Sequence, residues 1–99
     1  MNKTTYSAFT ATSLDGLLRN LHLETVVLGG VLTNRCVETT ARDATDRGYQ
    51  VIVLGDATAT YSPELQEATL LSLAGAHGYV RTTDEVVALL KQALPGGAV

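Results

Sequence analysis

Thr25-Val26-Val27-Leu28-Gly29-Gly30 is the stretch that decides the fold, and a polar, periodic segment follows it at residues 34–47. The first part is apolar throughout rather than at alternate positions, which is typical of a strand buried on both faces of a sheet. The two glycines indicate a sharp turn at its end. In the second part, Val37, Ala41 and Ala44 recur at helical spacing. The stretch therefore predicts a buried strand that leads through a turn into a helix.

The same pattern continues along the rest of the chain. Further strands are predicted at residues 50–56 and 79–81, and further helices at residues 12–21, 62–76 and about 82–94. The signals are an apolar stripe of Leu14, Leu17, Leu18 and Leu21 in the first of these helices, the start Ser62-Pro63 of the second, and the cap at residues 82–85 with Val86 on the apolar face of the last. Strands that alternate with helices predict βαβ units and therefore parallel pairing. The predicted fold class is α/β: a Rossmann-like, three-layer αβα sandwich with about three strands and four helices.

The predicted sheet has few strands for a domain of this class. The 99 residues are enough for one domain, 1–99, and leave little room for a second. Three strands are few for a parallel sheet, which normally has about five or six and is covered on both faces. We therefore expect a sheet that lacks strands.

Composition excludes several classes of function. Hydrophobic residues make up 45% and charged residues 17% of the chain, which predicts a folded domain. A net charge of −3 argues against nucleic-acid binding. The single cysteine excludes an intrachain disulfide framework and a cysteine-rich zinc site. No apolar run has the length of a membrane span, and the first residues do not resemble a signal peptide, so we expect a cytoplasmic protein without membrane contact.

The cysteine is the candidate for chemistry. Cys36 lies in the first turn of a predicted helix, and sites in open parallel sheets form where strands lead into helix N-termini. Backbone N–H groups and the helix dipole favour a thiolate there and can stabilise an oxyanion. A free cysteine is also often a buried apolar residue. The position alone leaves a nucleophile and a structural cysteine equally open.

A longer pattern surrounds this cysteine. Residues 30–44 read Gly-Val-Leu-Thr-Asn-Arg-Cys-Val-Glu-Thr-Thr-Ala-Arg-Asp-Ala, and this run resembles the nucleophile segment of the isochorismatase-like cysteine hydrolases. That family includes nicotinamidase, N-carbamoylsarcosine amidase and ureidoacrylate amidohydrolase. Residues 3–9, Lys-Thr-Thr-Tyr-Ser-Ala-Phe, resemble its Lys-x-x-x-Ser-Ala-Phe segment. Matches at residues 48–51, 56–57 and 80–86 extend the resemblance from residue 3 to about residue 94.

The resemblance implies roles for particular residues. Members of the family use a Cys-Asp-Lys triad, in which Cys36 matches the nucleophile and Lys3 the lysine. It also implies a cis peptide between Val31 and Leu32, and an oxyanion hole made by the N–H groups of Leu32 and Cys36. The implied reaction is cleavage of a small amide or carbamoyl C–N bond through a thioester. No cofactor and no metal site are expected for this chain.

Further assignments concern the surroundings of that site. By resemblance Tyr6, Phe9 and Asn34 belong to the substrate pocket, although core packing remains open for the two aromatic residues and helix capping for Asn34 and Thr33. Lys3 is equally open to being a solvated side chain near a terminus. Asp56 is assigned to a turn, Arg42 and Asp43 to surface or packing, and neither His22 nor His77 is assigned a ligand role.

The sequence also departs from the family pattern. The triad aspartate lies at the end of the family's first strand, upstream of the lysine, and no aspartate here matches it; the metal-binding residues of nicotinamidases are likewise unmatched. We therefore expect weak or no hydrolysis by this chain alone. The resemblance also implies that the strand at residues 25–29 is central in the family's sheet, so that here its edge is expected to be unpaired and aggregation-prone. We therefore expect a homo-oligomer or a complex with an upstream fragment. The alternatives are a catalytically inactive fragment or assembly module that retains the fold, and a flavodoxin-like domain that binds a small molecule.

Overall fold

A computed structural model describes residue 3 and residues 5–93 of the chain. Its α-helices are α1 (Leu14–Asn20), α2 (Glu38–Asp46), α3 (Pro63–Ala76) and α4 (Thr83–Ala93). Its strands are β1 (Thr25–Val31), β2 (Gln50–Ala59) and β3 (Tyr79–Arg81). The predicted order of helices and strands is confirmed. One element was not predicted: a π-helical turn at Thr33–Val37 precedes α2 and replaces the first turn of the expected helix.

The three strands form one sheet in the order β1-β2-β3, and both pairs are parallel. This confirms the predicted α/β class with its parallel sheet. Within the described residues β2 is central, while β1 and β3 each have one neighbour. The exposed edge expected for β1 is therefore present in the structure.

The central strand is longer than predicted. Residues 50–56 were expected, but β2 continues to Ala59 because, beyond an irregularity after Leu28, Gly30 pairs with Thr58 and Val31 with Ala59. Asp56 consequently lies inside a strand, and its assignment to a turn is wrong. Sequence pattern did not reveal this extension because it depends on the neighbouring strand.

The main core lies between the sheet and helices α2 and α3. Val51 and Val53 of β2 are buried there with Ala41 and Ala44 of α2 and Leu73 of α3. The predicted buried stripe of α2 is confirmed, because Val37, the remaining member, is also buried. Helix α4 contacts β2, and its Val86 is buried as predicted.

Two expectations about burial are wrong. The prediction that β1 is buried on both faces fails, since Val27 is 47% and Val31 is 64% exposed. A continuously apolar run is typical of a central strand, whereas β1 pairs with one strand only, β2, in the described residues. In α1, Leu14 and Leu18 pack against the core, but Leu17 and Leu21 of the same predicted stripe are exposed.

Helix starts agree with the predicted signals. The Ser62 hydroxyl accepts a hydrogen bond from the Leu65 N–H at 3.2 Å, and Pro63 is the first residue of α3. At α4 the Thr82 hydroxyl accepts from the Glu85 N–H at 3.1 Å, while the Glu85 carboxylate accepts from the Thr82 N–H at 2.9 Å. This reciprocal pair is a capping box.

Among the described residues, no helix has the length and apolar character needed to cross a bilayer.

Candidate active site

Cys36 lies in the π-helical turn that connects β1 to α2. The Leu32 carbonyl begins this turn by accepting hydrogen bonds from the Arg35 N–H at 3.1 Å and the Val37 N–H at 3.2 Å. The peptide bond between Val31 and Leu32 is cis. The thiol is partly exposed, so a small molecule can reach it from solvent.

Lys3 and Cys36 are in direct contact. The Lys3 ammonium donates to the Cys36 sulfur, with 3.6 Å between Nζ and Sγ. The contact places a positive charge beside the sulfur, and the negatively charged thiolate is the nucleophilic form of cysteine. The structure therefore brings the two residues predicted to be catalytic to one point of the surface.

This pair forms part of the wall of two adjoining depressions. An open pocket of about 520 Å³ is lined by Lys3, Thr5, Tyr6 and Cys36. A second, of about 360 Å³, also includes Lys3 and Cys36 and extends along β1 past Gly29 and Gly30. Both volumes lie in the range of small-molecule sites. A ligand in either depression would meet the ammonium and the sulfur.

The structure separates the two aromatic residues predicted for the pocket. Tyr6 is 54% exposed and lines the larger depression. Phe9 is only 4% exposed and stacks on Tyr49 in the core, with 5.7 Å between ring centroids. The pocket assignment of Phe9 is therefore wrong, because its ring gains more by burial against another aromatic ring than at an open surface.

Asn34 and Thr33 also differ from expectation. The Asn34 amide oxygen accepts a hydrogen bond from the Thr60 hydroxyl at 2.6 Å, which ties the turn to the segment after β2. Thr33 is fully buried. Neither side chain caps the helix, since Leu32 is the residue at the cap position and it makes no side-chain cap bond. A substrate contact by Asn34 stays a prediction.

Helix α2 holds the segment that carries Lys3. The Asp43 carboxylate accepts a hydrogen bond from the Ser7 hydroxyl at 2.7 Å, and the Thr40 hydroxyl accepts from the Ala8 N–H at 3.0 Å. Burial alone would raise the pKa of Asp43, but the hydrogen bonds from Ser7 and Arg47 outweigh it and lower that pKa below its ordinary value. Sequence reasoning assigned Asp43 to surface or packing and missed Ser7 and Thr40. Positions 36, 40 and 43 have the spacing of one face of the predicted helix, but that spacing does not identify Ser7 as the partner of Asp43.

The remaining candidates have structural contacts. The Asp56 carboxylate accepts from the Thr83 hydroxyl and N–H, each at 2.8 Å, and these bonds lower the pKa of Asp56. One nitrogen of the Arg42 guanidinium lies 2.6 Å from His77 Nε2, and another forms an ion pair with Glu38 at 2.8 Å. His22 is exposed at the end of α1. Within the part of the chain that the structure describes, no group of three His, Cys, Asp or Glu residues could hold a metal ion.

The chain is similar to known proteins in both fold and sequence. The family described as the Isochorismatase domain matches residues 1–85. Nicotinamidase 3 of Arabidopsis thaliana is 44% identical over 86 residues, which is 87% of this chain and 43% of the relative. Ureidoacrylate amidohydrolase RutB of Rhizobium rhizogenes is 37% identical over 94 residues, which is 94% of this chain and 38% of the relative. The crystal structure of a cysteine hydrolase from Pseudomonas syringae superposes with a TM-score of 0.89 at 37% identity, covering 93% of this chain and 48% of that one.

These matches define the class of protein. The chain belongs to the isochorismatase-like hydrolase family. It spans about half the length, or less, of the relatives it matches.

Proposed function

We propose that Cys36 is the nucleophile of a hydrolase that cleaves a small amide or carbamoyl C–N bond. The observation that carries the proposal is the 3.6 Å contact between Lys3 Nζ and Cys36 Sγ at the wall of an open pocket. The names of two relatives, nicotinamidase and ureidoacrylate amidohydrolase, denote enzymes that cleave such bonds. Both lines of support favour the same chemistry at the same residue.

The proposed mechanism proceeds through a thioester. The Cys36 thiolate attacks the carbonyl carbon, a C–S bond forms, and negative charge develops on the carbonyl oxygen. The N–H groups of Leu32 and Cys36 are proposed to stabilise that charge. The C–N bond then breaks, and the nitrogen leaves with the proton that a base has taken from the Cys36 thiol. The base next takes a proton from the water that attacks the thioester; the C–S bond breaks, the acid is released, and the proton returns to the sulfur.

Proton transfer in this scheme needs a base beside Cys36. In the described part of the chain, neither pocket that contains Cys36 is lined by an aspartate or glutamate. Three of the aspartates are also engaged with other partners: Asp15 with Arg19, Asp43 with Ser7, and Asp56 with Thr83. We therefore propose that the base is supplied by another segment of polypeptide. On this proposal the 99 residues alone hydrolyse their substrate slowly or not at all.

The edge of the sheet suggests where such a segment binds. Strand β1 pairs only with β2 in the described residues, and Val27 and Val31 of β1 are exposed. An unpaired apolar strand readily takes up another strand. We propose that residues 1–99 act as one domain whose β1 edge pairs with a second copy of the chain or with an upstream fragment. Sedimentation at micromolar concentration tests this, because a well-folded monomer would contradict it.

The function is tested by turnover. A panel of small amides and carbamoyl compounds is incubated with the wild-type chain and with Cys36→Ala, each alone and with the amino-terminal half of a relative added. We expect turnover that requires Cys36 and increases when the added half is present. If no Cys36-dependent turnover appears under either condition, the enzyme proposal is wrong and the inactive fragment or assembly module is favoured.

A further inference from the structure

We propose that Ser7, Thr40 and Asp43 form a clamp that positions Lys3 beside Cys36. This inference rests on the proposed function, since it concerns how the lysine reaches the nucleophile. The three residues are positioning residues, because none of them contacts the sulfur in the structure. We call them the α2 clamp.

Two residues of the clamp, Thr40 and Asp43, lie on the same helical face as Cys36. Cys36, Thr40 and Asp43 are spaced four and three residues apart, which places them on one side of a helix. Thr40 contacts the Ala8 N–H at 3.0 Å and Asp43 contacts Ser7 at 2.7 Å, while Cys36 contacts Lys3 at 3.6 Å. The segment at residues 5–9 and the Lys3 ammonium therefore meet the same helical face that carries the nucleophile.

Ser7 is the residue that fixes the segment. Its side chain is buried, and its hydroxyl both donates to Asp43 and accepts from the Phe9 N–H at 3.1 Å. The Ser7 carbonyl in turn accepts from the Thr5 hydroxyl at 2.9 Å. Residues 5–13 form bends and turns, not a helix or strand, so these bonds replace the support that a regular element would give.

Asp43 is itself held in place. Arg47 donates to its carboxylate at 2.8 Å, and the same guanidinium lies 5.2 Å from the centre of the Phe9 ring. The carboxylate that receives the Ser7 hydroxyl thus has a fixed orientation. Because Lys3 is exposed and has a long side chain, its position at the sulfur depends on the backbone four residues away at Ser7. Restricting that backbone raises the fraction of time that Nζ spends beside Sγ.

The test measures the rate at which iodoacetamide alkylates Cys36, the only cysteine of the chain. The reagent is uncharged, so the rate reports thiolate availability without electrostatic steering. The variants are Lys3→Ala, Ser7→Ala, Ser7→Thr, Asp43→Ala and two double variants, which combine Lys3→Ala with Ser7→Ala or with Asp43→Ala. Asp46→Ala is the matched control, since Asp46 is an exposed aspartate on the same helix.

We expect Lys3→Ala to slow alkylation about two- to five-fold, the range for an exposed charge pair. Ser7→Ala and Asp43→Ala should each slow it by a similar factor, and Asp46→Ala should leave it unchanged. In the Lys3→Ala background, Ser7→Ala should have no further effect. Ser7→Thr, which keeps the hydroxyl, should restore most of the rate.

Two results would overturn the clamp. One is a wild-type rate in both Ser7→Ala and Asp43→Ala; the other is an equal slowing by Ser7→Ala with and without Lys3, which a purely structural role predicts. If Ser7→Ala does not fold, the slowing caused by Asp43→Ala is compared with and without Lys3 instead. An unchanged rate in Lys3→Ala would instead contradict the proposed role of Lys3, so failure of the clamp and failure of the proposed function are distinguishable.

Discussion

Lys3 and Cys36 are 33 positions apart in the sequence, and the fold brings the Lys3 ammonium within 3.6 Å of the Cys36 sulfur. Such a contact across an open surface is electrostatic and sensitive to salt. Raising the salt concentration from about 0.05 M to about 0.5 M should therefore slow alkylation of the wild-type Cys36 by iodoacetamide. The Lys3→Ala variant should alkylate at a rate that salt does not change. Lys91→Ala, which removes the only other lysine, should behave as wild type, and a salt effect equal in all three would argue against the ion pair.

Core packing around α3 gives a stability prediction. Leu73 is fully buried, whereas Leu71 on the same helix is 69% exposed. Leu73→Ala should lower the free energy of unfolding by about 2–5 kcal/mol, because it leaves a cavity. Leu71→Ala should change it by less than about 0.5 kcal/mol. Urea denaturation measures both, and similar losses in the two variants would contradict the assigned packing.

Two glycines near the end of α3 should respond in opposite directions. Gly78 has a φ of +133°, and a Cβ there would lie 2.9 Å from the Val51 Cβ. Gly78→Ala should lower the free energy of unfolding by roughly 2 kcal/mol or more. Gly75, inside the helix, has open space around it, so Gly75→Ala should raise stability by about 0.5–1 kcal/mol. Thermal denaturation of the pair checks the signs, and stabilisation by Gly78→Ala would be inconsistent with the structure.

Carboxylate hydrogen bonds predict acid sensitivity. The hydrogen bonds from Thr83 lower the pKa of Asp56 below its ordinary 3.8, and those from Thr82 lower the pKa of Glu85 below 4.5. A carboxyl whose folded pKa is lowered stabilises the protein above its unfolded pKa, and that contribution is lost as pH falls through the folded pKa. The contribution should thus be complete at about pH 7 and should decline below about pH 4.

The Asp56→Asn variant isolates one part of this effect. Urea unfolding at about pH 7 and about pH 3 should show a smaller loss of stability on acidification in the variant than in the wild type. Asp46→Asn is the control for removing one exposed carboxylate from the chain. Identical pH dependences in wild type and Asp56→Asn would show that the Thr83 contacts do not stabilise the carboxylate.

Local patterns predicted much of the fold. The spacing of Val37, Ala41 and Ala44 identified the buried side of α2, and Ser62 with Pro63 marked the start of α3, because periodicity and capping depend on residues close in sequence. What the patterns missed depends on distant partners. The extension of β2 requires pairing with Gly30 and Val31. The exposure of β1 follows from which strands lie beside it.

The site residues divide in the same way, into those that local patterns predicted and those whose contacts depend on distant partners. Cys36 was predicted to be the nucleophile from its place after a strand and from the resemblance of residues 30–44 to a known segment. Phe9 was assigned to the pocket, but its burial against Tyr49 depends on a contact far along the sequence. The Ser7–Asp43 hydrogen bond was likewise missed, since no local pattern relates a serine in an irregular segment to an acid on a helix.

The central claim is that Cys36 forms a covalent acyl intermediate, and intact-mass spectrometry tests it most directly. The chain is incubated with a small activated carbamate and quenched in acid, with Cys36→Ala treated in parallel. Because the leaving group of an activated carbamate departs without taking up a proton, this acylation does not need the added base, and we predict a mass increase equal to one carbamoyl group in the wild type and none in Cys36→Ala. An equal adduct in the variant, or hydrolysis of the carbamate at the same rate in both without any adduct, would contradict the account.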